Sequence, residues 1–330
     1  MKKLLSILLA VMLVLSLTAC NTDNLAEYKK ALEKTEQITK GQFSAELSMT
    51  MDYNTDNMTA EEINDLNYFK DMSGSFNVMF DDEAEKTILR NYMNFGGLGI
   101  DFNMYINGEE MIMKLPVVGK YIKMDELNSI DMDIDEEAYD QTMISEETIK
   151  AITDKWVNLM KEEDVFKGKD IILTTPDGEV KTTEYTITLS DDQIRTLVNE
   201  TLPIVAQDKT LKQFYHDYVT VKTNEEEISF EKMIESIEKN IENYTIDNFK
   251  YIALVDIDGH IVSENIEYAI KSIKEDLILR GMEYNLNMKT WDINKEQSFD
   301  FPVLTDENTI KDTNMEEMPD LMKDMFENKN

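Results

Sequence analysis

The sequence predicts an α+β protein built on one long antiparallel β-sheet of about eleven strands, accompanied by several helices. Long stretches alternate apolar and polar residues, beginning with residues 43–53. Short turn sequences separate successive stretches, and Asn107-Gly108 is the pair most typical of a two-residue hairpin. The 330 residues include 42% apolar and 9% aromatic residues. Such a chain can bury a core, which excludes a wholly disordered protein.

The first half of the body is predicted to form a helix followed by a six-stranded meander. The helix covers residues 25–40 and is closed by Gly41. Thr59, with Glu62 three residues later, begins a short helix that interrupts the strands. The predicted strands cover residues 43–53, 72–81, 86–95, 99–106, 109–115 and 120–124.

The second half is predicted to combine helices with five further strands. An acidic link at 125–141 leads into a helix at 146–163, which Ser145 caps. A capping box from Ser190 to Gln193 opens a helix that reaches residue 207, and helices follow at 210–219 and 229–243. The strands cover residues 170–175, 180–189, 245–257, 260–273 and 280–293, with turns at Pro176-Asp177-Gly178 and Asp258-Gly259.

A single folded domain is predicted for the body. No linker rich in Gly, Pro or Ser divides the chain, and no segment repeats. Cutting the long sheet into two domains would expose strand edges. We assign the body to residues 25–305 and an acidic, methionine-rich C-terminal tail to residues 306–330.

Residues 1–19 have the pattern of a secretion signal. Lys2 and Lys3 precede an apolar run at residues 4–17, whose 14 residues are fewer than the ~20 that span a bilayer. The following Leu17-Thr18-Ala19-Cys20 resembles the lipobox of bacterial lipoproteins. This resemblance implies cleavage after Ala19 and a diacyl (palmitate-type) anchor on Cys20, with residues 20–24 as a short tether. An ordinary secretion signal with a chance cysteine is the alternative.

The same residues predict where the protein resides. Cys20 is the one cysteine of the chain, so an internal disulfide is excluded. The lipobox resemblance implies an extracytoplasmic protein of the cell envelope, held at the cell membrane by its lipid. The composition, rich in Lys, Asn, Ile and Glu, looks like that of a Gram-positive organism.

The charge balance excludes nucleic acid as a partner. The chain has 33 basic against 67 acidic residues, a formal net charge of -34. Removal of residues 1–19 takes away two lysines and no acidic residue, which leaves 31 against 67 and a net charge of -36. So acidic a surface repels phosphates.

The order of elements resembles the LolA-like and LppX-like superfamily of bacterial lipoprotein and lipid carriers. The resemblance rests on this order and on passages such as Met104-Tyr105-Ile106-Asn107-Gly108 through Tyr121-Ile122-Lys123-Met124, and Tyr185-Thr186-Ile187-Thr188-Leu189-Ser190. It implies a single incomplete antiparallel barrel, wrapped around or covered by several helices, that encloses an apolar cavity. This chain is longer and more acidic than those carriers, so the identity of the ligand does not carry over.

Methionine is the most informative residue type, with 22 copies. Its unbranched, polarizable side chain suits a cavity that adapts to flexible acyl chains. The alternative is that these strand faces simply pack on the helices, with methionine filling gaps. The predicted cavity-lining residues are Met49, Met51, Phe76, Val78, Phe102, Met104, Met111, Met113, Tyr185, Ile187, Met282, Tyr284 and Leu286.

Catalytic and metal sites are not predicted. The two histidines, His216 and His260, form no pair at metal-binding spacing and accompany no serine nucleophile motif. The alternating acids of segment 131–135 resemble the start of a calcium loop, but Glu136 stands where glycine is needed and Thr142 where a bidentate acid is needed. We therefore predict no enzyme, no cofactor and no metal, and interpret the acidic segment as a solvated linker.

Two functions remain open at this point. The first is a membrane-anchored extracytoplasmic lipoprotein that binds or shuttles an apolar or amphiphilic ligand, such as a lipid, in the barrel cavity. The second is a structural or interaction lipoprotein with a solid core, whose acidic outer face meets a cationic partner of the envelope. The content of the cavity distinguishes them.

Overall fold

A computed structural model describes residues 23–114, 119–123, 144–215 and 229–310 of the chain. The predicted signal, Cys20, the acidic link at 125–141 with its calcium-like segment, and His216 lie outside the described residues. Within the described ranges the protein has eleven β-strands, six α-helices and two short 3₁₀-helices.

The strands are β1 (Lys40–Tyr53), β2 (Asp71–Asp81), β3 (Lys86–Phe95), β4 (Leu98–Asn107), β5 (Glu110–Lys114), β6 (Tyr121–Lys123), β7 (Val165–Thr175), β8 (Gly178–Ile187), β9 (Tyr244–Asp256), β10 (Ile261–Ser272) and β11 (Leu279–Trp291). The α-helices are α1 (Asn24–Thr35), α2 (Ala60–Lys70), α3 (Glu146–Leu159), α4 (Asp191–Val205), α5 (Lys209–Phe214) and α6 (Phe230–Asn240). The 3₁₀-helices are Glu162–Asp164 and Ile241–Asn243.

All eleven strands belong to one antiparallel sheet. Their order is β6-β5-β4-β3-β2-β1-β11-β10-β9-β8-β7, so the two meanders are joined through the pairing of β1 with β11. The sheet does not close, because β6 and β7 stand at its two edges. The predicted fold class, an α+β protein with a single incomplete antiparallel barrel of about eleven strands and several helices, is confirmed.

The local start signals of three helices are confirmed. Thr59 and Ser190 each form a capping box with the residue three positions later, and Ser145 caps α3 by accepting from the backbone N–H of Thr148. The three predicted turns are also present, with Gly108 and Gly259 at positive φ angles of 62° and 88°. A left-handed backbone of this kind favours glycine.

The first helix is shorter than predicted. It ends at Thr35, and the backbone N–H of Glu36 closes it by bonding to the carbonyls of Leu32 and Lys34. Gly41 lies inside β1 instead of capping the helix, with an extended φ of 158°. A Cβ atom at Gly41 would stand 3.2 Å from the carbonyl oxygen of Trp291, so the close approach of β11 favours glycine there.

Two other boundaries differ from the prediction. The helix predicted to reach residue 163 ends at Leu159, because the chain turns at the buried Met160 into a 3₁₀-helix. Strand β7 begins at Val165, five residues early, because a bulge between Lys167 and Asp170 breaks the alternation on which the prediction relied.

The main core lies between the sheet and three helices. Buried residues of β7–β10 pack against α1, α3 and α4, and the cluster includes Tyr28, Val165, Ile187, Ala253 and Ile261. We call the face of the sheet that these helices cover the inner face. The opposite, outer face carries a smaller cluster of Ile88, Tyr105 and Ile112, which Phe299, Phe301 and Leu304 of the chain after β11 cover.

Candidate functional site

Strand register places the predicted cavity residues of β1, β2 and β11 on one face. Directly paired residues of an antiparallel ladder point to the same side. Met49 pairs with Tyr284, Met51 with Met282, and Leu47 with Leu286. On the other side of β1, Ala45 pairs with Phe76 and Phe43 with Val78.

The same face continues to both edges of the sheet. On β3, Asn91 pairs with Phe76 of β2 and with Phe102 of β4. Leu89 likewise pairs with Val78 and with Met104. Met104 then pairs with Met113, and Ile106 with Met111. In the other direction, Ala45 of β1 pairs with Met288 of β11, which pairs with Glu264 of β10. Glu264 pairs with Ala253 of β9, which pairs with Tyr185 of β8. All thirteen predicted residues therefore lie on the inner face.

Tyr185 and Ile187 belong to the helix-covered part of this face. Ile187 has no exposed surface and Tyr185 only 5%, and both pack in the main core. The Tyr185 hydroxyl donates a 2.7 Å hydrogen bond to the carboxylate of Glu27 on α1, which also pairs with Lys167 at 2.6 Å. Burial, followed by the neighbouring Glu27, raises the pKa of Tyr185 to about 12. These two residues therefore contribute to a solid core and line no hollow.

The other eleven predicted residues are all partly exposed. We call the inner-face apolar side chains of β1–β5 and β11 the open inner face. Helix α2 lies beside β1, β2 and β3, and none of its residues is buried. The half-buried predicted residues of this surface are Met49, Met51, Phe76, Val78, Phe102, Met104, Met111, Met113, Met282, Tyr284 and Leu286.

A polar side chain interrupts the open inner face. Asn91 lies between Phe76 and Phe102 and is only 7% exposed. Its Oδ1 atom is buried and accepts no hydrogen bond within the described part of the chain. Such an acceptor costs about 1–3 kcal/mol when it is left unpaired. The sequence contains a signal for this residue, because Asn91 is a single polar side chain at an apolar position of the Leu89-Asn91-Met93 alternation. The sequence analysis did not predict it.

A half-buried acid lies where the helix-covered and open parts of the inner face meet. Glu264 of β10 pairs with Ala253 on one side and Met288 on the other, and it accepts a hydrogen bond from the Tyr251 hydroxyl. Burial raises the pKa of Glu264, and the Tyr251 hydrogen bond opposes this only in part. The indole N–H of Trp156 donates to Tyr28, whose ring packs edge-on against Tyr251. Burial raises the pKa of Tyr28 to about 12.

A groove of about 330 Å³ lies on the outer face, away from the predicted residues. Most of its lining residues are polar, the exceptions being Leu47, Gly74 and Tyr92. The short side chains of Ser75 opposite Glu46, and of Ser73 opposite Ser48, leave the space open. The outer-face side chains that line it are Glu46, Ser48, Ser73, Ser75, Tyr92, Asn285 and Asn287. An apolar ligand does not fit this chemistry, so we place the candidate site on the inner face.

No described residues suggest a metal centre. Within the described ranges, no three His, Cys, Asp or Glu residues come together to hold an ion. His260 lies just after the β9–β10 turn, where its backbone N–H donates to Asp256 and its Nδ1 atom stands 3.7 Å from the same carboxylate. The contact between His260 and Asp256 stabilises the β9–β10 hairpin.

The chain has no match among known family models and none among curated proteins. The LolA-like resemblance therefore stays a prediction. Among the described helices, none combines the length and the apolar character needed to cross a membrane.

Proposed function

We propose that this chain is an extracytoplasmic lipoprotein that binds an apolar or amphiphilic ligand on the open inner face. One observation carries the proposal. Eleven predicted residues lie on one side of an unclosed sheet, six of them methionine, and all are half-buried. A lipid anchor on Cys20 is part of the proposal and rests on the lipobox pattern.

The energetics favour a flexible hydrocarbon ligand. Each methylene group removed from water contributes about 0.8 kcal/mol. Methionine side chains adapt their shape to a chain that has no fixed conformation. A ligand lying across β1–β5 would cover apolar surface that the described helices leave partly exposed. Several methylenes are enough to offset the entropy lost on binding and give micromolar affinity.

Asn91 supports an amphiphilic ligand over a plain hydrocarbon. Its buried Oδ1 atom has no donor among the described residues, although it lies amid the apolar side chains of the face. A ligand hydroxyl or amide N–H would provide that donor. A pure hydrocarbon would leave the acceptor unpaired at the same cost.

The solid-core alternative is favoured by the other half of the molecule. Helices α1, α3 and α4 cover the inner face of β7–β9 and the start of β10 with a packed core that includes Tyr185 and Ile187. The alternative requires that β1–β5 carry a similar solid core without ligand. The net charge of -36 on the mature chain would then provide a surface for a cationic envelope partner.

Ligand content distinguishes the two functions. We propose to purify the full-length protein from its own membrane fraction and to analyse it by native mass spectrometry. Extraction of the bound lipid and identification of the released molecules follow. A ligand at about one copy per protein, besides the anchor, supports the carrier. Ligand-free protein that also fails to bind a fluorescent fatty acid contradicts the carrier function and favours the solid core.

A further inference from the structure

Several exposed apolar residues gather at one end of the sheet. Strand β1 finishes at this end with Tyr53, opposite the start of β11, so we call it the Tyr53 end. Three segments close it: residues 54–70 with α2, the β3–β4 turn, and the β10–β11 loop at 273–278. The apolar side chains exposed by 49–60% in or next to these segments are Tyr68, Phe69, Leu98, Ile273 and Ile278.

Hydrogen bonds join the three segments into one rim. The backbone N–H of Asn54 donates to the carbonyl of Ile278 at 2.7 Å, and its side chain donates to the carbonyl of Glu275 at 3.0 Å. The Gly96 N–H donates to the carbonyl of Asp71 at the end of α2. A Cβ atom at Gly96 would stand 2.6 Å from the carbonyl oxygen of Asn67, so α2 lies directly against this turn.

Helix α1 begins toward the same end. The backbone N–H of Asn24 donates to Glu162 at 2.9 Å, and its side chain reaches the carbonyl of Val165, the first residue of β7. From there α1 runs to Thr35, which accepts a hydrogen bond from the N–H of Ile261 at the opposite end of the sheet.

A path of hydrogen bonds links the start of α1 to the rim. Asp164 of the adjoining 3₁₀-helix accepts from Gln193 in the first turn of α4. In the same turn, Asp191 accepts from the N–H of Ile246 in β9. The N–H of Ile273 then donates to the carbonyl of Asn243, just before β9, at 2.9 Å. The start of α1 and the rim are therefore parts of one side of the molecule.

The length of the tether fixes which end faces the bilayer. Cys20 precedes Asp23 by three residues, a reach of about 10–11 Å when fully extended. The 12 residues of α1 span about 18 Å toward the opposite end. A lipid on Cys20 therefore brings the Tyr53 end toward the membrane and holds the opposite end away from it.

We propose that the rim of the Tyr53 end docks on the lipid bilayer, with Tyr68, Phe69, Leu98, Ile273 and Ile278 in the interfacial region. This rests on the lipid anchor proposed above. An exposed apolar patch marks an interaction surface, and tyrosine suits the headgroup level because its ring is apolar and its hydroxyl polar. Docking in this way turns the Tyr53 end of the open inner face toward the membrane, where an amphiphile is exchanged.

The negative charge of the rim determines which force can drive docking. Segments 54–71 and 273–278 contain seven acidic residues against Lys70 and Lys274. An anionic bilayer repels such a rim, so apolar insertion has to drive the contact. We therefore expect docking to be stronger on phosphatidylcholine than on phosphatidylglycerol vesicles at low salt, and added salt to strengthen docking on the anionic vesicles.

A depth-dependent quenching experiment tests the proposal. The full mature lipoprotein is reconstituted into phosphatidylcholine vesicles that contain spin-labelled lipid. Because Cys20 is the one native cysteine and its sulfur would carry lipid, Phe69→Cys and Ile278→Cys can each be labelled selectively with an environment-sensitive fluorophore. Ile257→Cys is the matched control, since Ile257 is 88% exposed in the β9–β10 turn at the opposite end.

The proposal expects a blue shift and strong quenching at positions 69 and 278, with neither at 257. Equal, water-like emission at all three positions overturns docking while leaving ligand binding on the inner face intact. A free, label-reactive Cys20 thiol in the parent protein overturns the anchor and the docking together. Quenching that disappears when salt is added overturns apolar insertion.

Discussion

The carboxylate of Asp208 accepts two hydrogen bonds from Ser145, one from its backbone N–H at 3.0 Å and one from its hydroxyl at 2.7 Å. Its other oxygen accepts from the backbone N–H of Leu211 at 2.8 Å. One buried acid thereby caps α5 and holds the start of α3. Burial alone would raise the pKa of Asp208, but its hydrogen bonds with Thr148, Leu211 and Ser145 lower it to about 2.

Replacement of Asp208 should destabilise the helical layer. We expect Asp208→Ala to lower the free energy of unfolding by about 1–3 kcal/mol at neutral pH, because it removes a cap and leaves donors unpaired. Since the folded pKa lies below the ordinary 3.8, this stability is fully present above pH 3.8 and is lost as pH falls toward 2. Urea denaturation at several pH values measures both effects. The exposed Asp192→Ala is the control, and an equal loss in both variants would contradict the prediction.

The elements that sequence reasoning recovered depend on local information. Alternation of apolar and polar residues fixes side-chain direction, and it predicted that Met49 and Met104 both point inward. The strand register places both residues on the inner face. The capping boxes at Thr59 and Ser190 span three residues and were equally visible. The contact between Asp208 and Ser145 was missed because the two residues lie 63 positions apart.

Alternation could not predict which parts of the inner face the helices cover. Tyr185 and Met113 have the same alternation signature, yet the first is packed under α1 and the second is half-exposed. Alternation reports the direction of a side chain and carries no information on what packs against it. The prediction that Gly41 closes the first helix was wrong, because a glycine after a helix suits both a helix cap and a close approach of neighbouring backbone.

Glu264 should make stability fall as pH rises. Because burial raises its folded pKa above the ordinary 4.5, ionisation is disfavoured in the folded state. Its contribution is therefore most favourable below pH 4.5 and declines as pH rises toward the folded pKa. We expect Glu264→Gln to remove this decline and to be more stable than the parent at neutral pH, since glutamine keeps an oxygen for the Tyr251 hydroxyl. Denaturation from pH 4 to 8 measures the difference.

The neighbouring Glu267→Gln is the matched control for this experiment. Glu267 lies three residues along β10, is exposed, and accepts a 3.2 Å hydrogen bond from Asn285 on the outer face. We expect its pH profile to match that of the parent. If Glu264→Gln shows the same profile as Glu267→Gln, the Glu264 carboxyl does not set the pH dependence.

Cys20 should be required for membrane retention. We expect Cys20→Ser to accumulate as uncleaved precursor or to appear in the medium, because the lipobox chemistry needs the sulfur and two acyl chains anchor far better than one. Detergent partition and the intact mass of the N-terminal peptide measure this. Asn21→Ala is the control and should be retained. Cleavage of Cys20→Ser at the same bond with normal membrane retention would refute the anchor.

Large side chains on the open inner face should block ligand without unfolding the sheet. Met113→Trp and Leu286→Trp are expected to lower the binding of a fluorescent fatty acid at least severalfold while the melting temperature holds or rises, because the added ring enters partly open space. In a solid core the same change overpacks and costs about 1–3 kcal/mol.

Met79→Trp provides the matched control for the filling variants. Met79 is a half-buried methionine of β2, and its pairing with Gln42 and Ile88 places it on the outer face. Probe binding should be unchanged in this variant. Lower stability in Met113→Trp and Leu286→Trp, together with no probe binding in the parent protein, would favour the solid core.

Asn91 should select ligands that carry a hydrogen-bond donor. Its buried, unpaired Oδ1 atom predicts that the parent binds a hydroxylated fatty acid more tightly than the plain acid of the same length. One net hydrogen bond is worth about 0.5–1.5 kcal/mol, so the preference should be about two- to tenfold. Asn91→Leu should abolish the preference and raise the free energy of unfolding by about 1–3 kcal/mol, because it removes an unsatisfied acceptor. Competition titrations against one fluorescent probe measure the preference.

The exposed Asn77→Leu on the outer side of β2 is the control for this variant, since Asn77 pairs with Ser44 and Arg90. It should change neither the preference nor the stability by a comparable amount. A gain in stability for Asn91→Leu with no preference in the parent would mean that the acceptor is only a packing defect. A loss of stability would mean that the Asn91 carboxamide has a structural partner. Asn91 would then not contribute to ligand binding.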